Sequence, residues 1–368
     1  MSYKFEQFYQ CGDKQFHNIY QAFNQQKLTG HFPHFVIDEN LVKALQGFRK
    51  PPNLTRQYIK GLMVTRLKAL RKKYRKMKLM YSGGTDSYTI LKLCVDNDIF
   101  IDETITQMIS MNNDLRTNLE YFTGLRMAKK YEGTIIGKIT ELHVTDKDLD
   151  FVKDPYWFCD PIMVPGPSLP WRPYSLRKMV RCAKDDDDDD TIVLLGYEKP
   201  RILVENKKPY WVINDASCGE MMGSTNTIPF FHDKENPELT VALTYVMLDN
   251  LKINDYKSGT LLGYHFFEKS TKMKLLNEYG FAASPHNFVN MALLGKTMYN
   301  FNRKTKRFYE ELRKEGKEDF IEAMFATHDR IIRLYRNVPH AIEIEGKTVK
   351  AVGRYSQKIP ILQDKFAS

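Results

Sequence analysis

Six consecutive residues, Ser82-Gly83-Gly84-Thr85-Asp86-Ser87, set two glycines, three hydroxyls and a carboxylate between two apolar stretches. Leu79-Met80-Tyr81 precedes them with the look of a strand, and Tyr88 to Cys94 follows with the look of a helix. A loop that leaves a parallel strand and enters a helix turns several backbone N–H groups, and the positive end of the helix dipole, towards one point. That is an anion site by geometry alone. Gly83 and Gly84 let backbone approach a phosphate closely and take positive φ where the turn needs it. Ser82, Thr85 and Ser87 add hydroxyl donors. Asp86 would repel a bare phosphate, so its presence makes sense with a Mg²⁺ between the two, held through oxygen ligands.

The P-loop NTPase pattern G-x-x-x-x-G-K-[ST] is excluded, because this loop has no such lysine. Gly295-Lys296-Thr297 ends in the same way, but Asn290 stands where the first glycine belongs, in a helical stretch with no strand before it.

The elements that must position the loop follow from the hydrophobic pattern. Strands are expected over 77–81, 103–110, 134–144 and 191–196, with a helix over 116–131. The run Thr191-Ile192-Val193-Leu194-Leu195 is apolar enough for a parallel strand buried on both faces. Strand, helix, strand at this spacing predicts an α/β fold, an open parallel sheet with helices on both faces. Residues 1–75 read as a mostly helical, basic region. Within it, 57–76 places Ile59, Met63, Leu67 and Leu70 three and four residues apart, after a break at Pro51-Pro52. Beyond the sheet, 201–214 reads as a hairpin turning at Asn206-Lys207-Lys208-Pro209. Helices are expected over 237–251 and 284–336, and a hairpin over 341–353 around Glu345-Gly346-Lys347. The expected division is 1–75, a nucleotide-binding α/β domain over 76–230, and a mainly helical region over 231–368 that ends in the hairpin.

Composition narrows the functional classes. The chain has 368 residues, 42% of them hydrophobic, and no apolar run approaches the length of a membrane span. The first residues lack the apolar core of a signal peptide, and the five cysteines form no CxxC pair, so a cytoplasmic protein without a disulfide framework or zinc ribbon is expected. No HExxH is present, and Cys218 reads as a structural thiol. The net charge of +10 is unevenly spread, with no acidic residue from Asn40 through Thr85 and thirteen Lys and Arg from Lys43 to Lys78. Such a segment suits a nucleic acid, which it would bind by releasing counterions; the plain alternative is a solvated helix face. Residues 154–175 hold six prolines and five aromatics and are expected to form a substrate platform. The six aspartates of 185–190 read as a solvated loop. Nothing in the sequence sets an oligomeric state.

The hexapeptide Ser82 to Ser87 matches the SGGxDS signature, and the chain over about 77–201 resembles the PP-loop ATP pyrophosphatases. That resemblance implies the adenine-nucleotide alpha-hydrolase-like sheet, and ATP with Mg²⁺ as ligands. It implies a reaction in which ATP is cut between its α and β phosphates, AMP is joined to a substrate oxygen, and an amine or sulfur nucleophile displaces the AMP. Ser82, Gly83, Gly84, Thr85, Asp86 and Ser87 would then hold the departing pyrophosphate, with Asp86 beside the metal and both Asp86 and Ser87 taking part in catalysis. Ser110, at the end of the second strand, would lie beside adenine or ribose. Gly196-Tyr197-Glu198-Lys199-Pro200-Arg201 is similar to a glycine–acid–arginine region of the sulfonucleotide reductase branch. There Gly196 would face the nucleotide, and Lys199 or Arg201 would steady the α-phosphate. The branch's cysteine-containing tail, the CxxC pairs of thiolating relatives and an N-terminal cysteine glutaminase domain are not expected here. Three functions stay open: an adenylating enzyme, acting on a nucleobase, tRNA or DNA, or on a small acid; a 3′-phosphoadenylylsulfate-reductase-like enzyme; and a nucleotide-sensing or nucleic-acid-binding protein without catalysis.

Overall fold

A computed structural model of the chain describes residues 7–16, 18–109, 119–145, 152–154, 156, 190–196, 201–213, 227–232, 234–250, 255–262, 312–335, 341–344, 347–350 and 358–361. Its centre is a five-stranded parallel sheet built from β4 (Lys76–Met80), β5 (Ile101–Ile109), β6 (Ile136–Val144), β7 (Thr191–Leu195) and β10 (Thr227–Pro229), in the order β10-β7-β4-β5-β6. The first four are the strands expected from the sequence. The fifth, β10, was not; three residues ending in a proline give little periodic signal, and Pro229 is tolerated there because β10 is an edge strand.

From β4 the chain steps outward to β5 and β6 on one side, then returns to add β7 and β10 on the other. The direction therefore reverses between β4 and β7. In open sheets such a switch point opens a crevice at the carboxyl ends of the strands. Helix α4 (Thr85–Asp96) links β4 to β5, and α5 (Leu119–Lys129) links β5 to β6.

Alternation along the strands shows how the sheet is covered. Asp102 on β5 bonds Arg71 of α3 (Arg56–Lys73), and Glu141 on β6, paired in register with Thr106, accepts from the Tyr121 hydroxyl of α5. Positions 102 and 106 share a face, so α3 and α5 lie on the same side. The opposite face carries Lys78, Ile105, Val193 and Leu195, all buried too. Lys78 there meets Glu103, its register partner on β5, at 2.9 Å. The Thr140 hydroxyl donates to Glu103, and Lys138 stands 3.7 Å away. Burial opposes the Glu103 charge, but these partners outweigh it and hold its carboxyl below the ordinary range.

The region expected to be mostly helical contains α1 (Ile19–Thr29), α2 (Glu39–Gly47) and α3, but it also contains a sheet. Strands β1 (Gln7–Cys11), β2 (Lys14–Phe16) and β3 (His34–Ile37) pair antiparallel in the order β2-β1-β3. Their burial alternates, with Tyr9, Cys11, Phe35 and Ile37 inward, and Gly12 turns the first hairpin at φ +61°. A period of two over four or five residues is too short to outweigh the helical neighbours in a sequence reading. The expected α3 face is seen: Ile59, Met63, Leu67 and Leu70 are all fully buried.

Beyond the parallel sheet, β8 (Arg201–Glu205) and β9 (Lys208–Val212) form the expected hairpin, turning through Asn206 and Lys207 at φ +49° and +60°. With β11 (Thr260–Leu262) and β14 (Ile359–Pro360) they make a four-stranded antiparallel sheet. Helix α6 (Pro237–Asp249) packs on α2 and α3, and α7 spans Glu318–Tyr335. The hairpin of β12 (Ala341–Ile344) and β13 (Lys347–Lys350) is as expected. One hydrophobic core runs from Tyr9 through α3 and the parallel sheet to α6 and Ile359. Among the described residues no helix is long and apolar enough to cross a membrane.

Candidate functional site

The Ser82–Ser87 loop leaves the carboxyl end of β4 at the switch point and opens α4. Gly84 is the residue before the helix, and its carbonyl accepts the first helical bond from Tyr88 N–H at 2.8 Å. No side chain caps this end. The helix N-terminus is thus formed by backbone, which suits an anion. Asp86 lies in the first turn of α4, where a carboxylate also favours the helix dipole.

The two serines brace the loop from inside. The Ser87 hydroxyl, almost fully buried, lies 3.3 Å from Ser82 N, Ser82 Oγ and the Gly84 carbonyl, and Ser82 Oγ accepts from Gly84 N–H at 3.2 Å. Ser87, expected to act in catalysis, is therefore placed as the knot that closes the loop. Thr89, one turn on, donates to the Thr85 carbonyl.

Glycines pin the loop from two sides. Gly83 has φ +75°, the left-handed region that glycine occupies without strain. A β-carbon on Gly124, in α5, would stand 2.8 Å from Gly83 Cα and 3.2 Å from its nitrogen. One on Gly196, just past β7, would stand 2.8 Å from both Ser87 Cα and Ser87 N. Both partners are backbone, so neither contact could be relieved by a side chain moving. Gly196 was expected to face a nucleotide; its lack of a side chain is explained by this contact with the loop's own backbone. Gly124 was not singled out from the sequence. The available signal was an isolated glycine inside a helical pattern, which costs about 1 kcal/mol against alanine and asks for a packing reason.

Tyr81 fills the space beneath. It is 1% exposed and lies against the position of Gly124, and its hydroxyl has no hydrogen-bond partner among the described residues. Burial pushes the phenol well above its usual range, with Tyr88 and Tyr131 adding to the shift.

Arg201 opens β8 opposite Val212, in the antiparallel sheet. Ser110 and Lys199 lie outside the described residues, as do most of the 154–175 segment and all but the last of the 185–190 aspartates. Among the described residues no three His, Cys, Asp or Glu side chains gather as a metal cage. Mg²⁺ asks for less: it commonly binds one or two carboxylates, with substrate phosphates and water completing its shell. Asp86, half-buried in the first turn beside the loop hydroxyls, fits that role.

The basic segment is divided by the structure. Lys43 pairs with Glu39, Lys50 with Asp249, Arg71 with Asp102, Lys73 with Glu235 and Lys78 with Glu103. Arg66 is buried against the Phe230 ring, 5.6 Å from its centroid, and burial lowers its guanidinium to about 9 although Glu235 and Tyr74 oppose that shift. At least six of the thirteen cations therefore serve the fold or local pairs.

No family model matches the chain, and no curated protein matches it. Among solved structures, NMN synthetase from Francisella tularensis aligns with 72% of this chain and 96% of its own, at 10% identity and a TM-score of 0.31. At that level the neighbour says nothing of this chain's substrate.

Proposed function

We propose that the chain is an ATP pyrophosphatase of the adenylating kind: it binds ATP at the Ser82–Ser87 loop, releases pyrophosphate, and leaves AMP on a substrate oxygen. An amine or sulfur nucleophile then displaces the AMP. The observation that carries this reading is the SGGTDS loop itself, which joins β4 to the bare N-terminus of α4 at the point where the strand order reverses.

The roles follow from position. The backbone of the loop and the first turn of α4 would take the β and γ phosphates, where donors fixed in advance stabilise the charge of a leaving pyrophosphate. The serine knot and the glycine contacts keep those donors in place without reorganisation at the moment of reaction. Mg²⁺, held through Asp86 and the phosphates, would supply neutralising charge. Lys199 and Arg201 remain proposed partners of the α-phosphate, and Ser110 of the adenosine. A nucleobase, tRNA or DNA is the proposed source of the oxygen.

The test is product analysis of ATP incubated with Mg²⁺, the protein and candidate acceptors, beside Asp86→Ala. AMP and pyrophosphate are expected, with at least about a hundredfold loss in the variant, a size seen when a group that stabilises transition-state charge is removed. ADP and phosphate as products would overturn the adenylation mechanism.

A further inference from the structure

Removing the paired and buried cations from the basic segment leaves a pattern that the sequence does not display. Arg56, Lys60, Lys68 and Lys72 all belong to α3 and stand at multiples of four residues, with Val64 in the remaining position. Residues four apart form a ridge that rises about 6 Å and winds about 40° per step, so the four charges extend over about 24 Å along the axis and about 160° around it. Arg56, Lys68 and Lys72 are exposed and Lys60 is half-exposed. No hydrogen bond or ion pair engages any of the four among the described residues. The nearby carboxylates Asp102 and Glu235 are held by Arg71 and Lys73.

The direction of α3 gives the ridge a destination. Arg71 meets Asp102 near the start of β5, while Arg66 meets Phe230, the first residue after β10. The helix therefore runs back along the sheet, and its first ten residues reach up to about 15 Å past the carboxyl edge. Lys68 and Lys72 flank the sheet; Lys60 and Arg56 stand on the side where the Ser82–Ser87 loop opens.

We propose that this ridge is the docking track for a single-stranded nucleic acid, whose backbone follows α3 and whose end or loop is delivered to the crevice at the β4–β7 switch point. Regular positive charge over this length fits a flexible chain of phosphates, which can wind with the ridge, rather than a lone nucleotide. A lipid surface fits poorly, because the apolar stripe of α3 (Ile59, Met63, Leu67, Leu70) is spent in the core. In naming a nucleic acid as substrate the inference rests on the adenylation reading; the track itself does not.

Full-length protein is titrated into fluorescein-labelled single strands of about 20 nucleotides, RNA and DNA, between roughly 50 and 200 mM salt, with anisotropy as the readout. Four phosphate contacts give a slope of log K against log salt of about −2.8. The variant Arg56→Gln/Lys60→Gln/Lys68→Gln/Lys72→Gln is expected to lose at least about tenfold in affinity and most of that slope. A charge-matched variant, Lys14→Gln/Lys27→Gln/Lys130→Gln/Lys257→Gln, is expected to stay within about twofold, since it removes equal charge from exposed positions elsewhere. Equal losses in both variants would overturn the track, as would tighter binding to phosphatidylserine vesicles or polyglutamate than to either strand. AMP formation without strand binding sinks the track and leaves the reaction standing; strand binding without AMP formation does the reverse.

Discussion

Two of the turns that take the chain through left-handed backbone do so for different reasons. At the β8–β9 hairpin, Asn206 and Lys207 hold φ of +49° and +60° with exposed side chains. The Ser82–Ser87 loop uses Gly83 at φ +75°, and a β-carbon on Gly124 would stand 2.8 Å from Gly83 Cα. The hairpin needs only a conformation. The loop needs that conformation and space for two neighbouring backbones. A position that only turns the chain and a glycine that admits another segment carry different information, and only the second reports a close approach of distant backbone.

Predictions that would break or sharpen this contrast run from the parallel sheet to the hairpin. The largest effect is expected at the buried ion pair of the parallel sheet. Glu103→Gln leaves the Lys78 charge buried without its carboxylate and should destabilise the fold by about 3 to 5 kcal/mol, read by urea unfolding. Pairing it with Lys78→Met should recover much of that loss; a double variant as weak as the single one would mean that the pair is not a unit. The same group sets an acid dependence. Its folded value is depressed, so its contribution is complete above the unfolded value near 4.3 and disappears as pH falls through the lower folded value. Removing the pair should flatten the acid limb of the stability curve below about pH 4.3.

Next come the contacts on the loop. Gly124→Ala and Gly196→Ala each force backbone apart and should destabilise by about 1 to 3 kcal/mol. Under the proposed function both also weaken ATP binding about tenfold or more, measured by calorimetry at a temperature where the variants are folded. Loss of stability with unchanged ATP affinity would reduce the clasp to ordinary packing. The smallest effect belongs to the hairpin, where Lys207→Gly should be neutral or stabilise by up to about 1 kcal/mol and leave ATP affinity untouched.

What could be read beforehand was whatever is local. SGGTDS is six adjacent residues, and its strand before and helix after were visible as changes of period; the α3 face followed from four apolar positions. The N-terminal sheet was missed because its strands are three to five residues long, and β10 because three residues carry no period. The glycine clasp was missed for another reason. Gly124 meets Gly83, and Gly196 meets Ser87, only after the sheet brings separate connections together. The basic segment was legible as charge but not as pattern, since Asp102, Glu235 and Asp249 lie far along the chain from the cations they hold.

That remoteness has a consequence for how the chain is made. Asp38, Lys50 and Lys73 find their partners Lys234, Asp249 and Glu235 across 196, 199 and 162 residues. On a ribosome adding roughly 5 to 20 residues per second, the N-terminal helices would emerge about 8 to 40 seconds before those partners do. Until then the apolar stripe of α3 lacks α6 to pack on, and its cations lack their carboxylates. The interval is one in which this segment is most open to chaperones, and to any polyanion close to the exit of the ribosome.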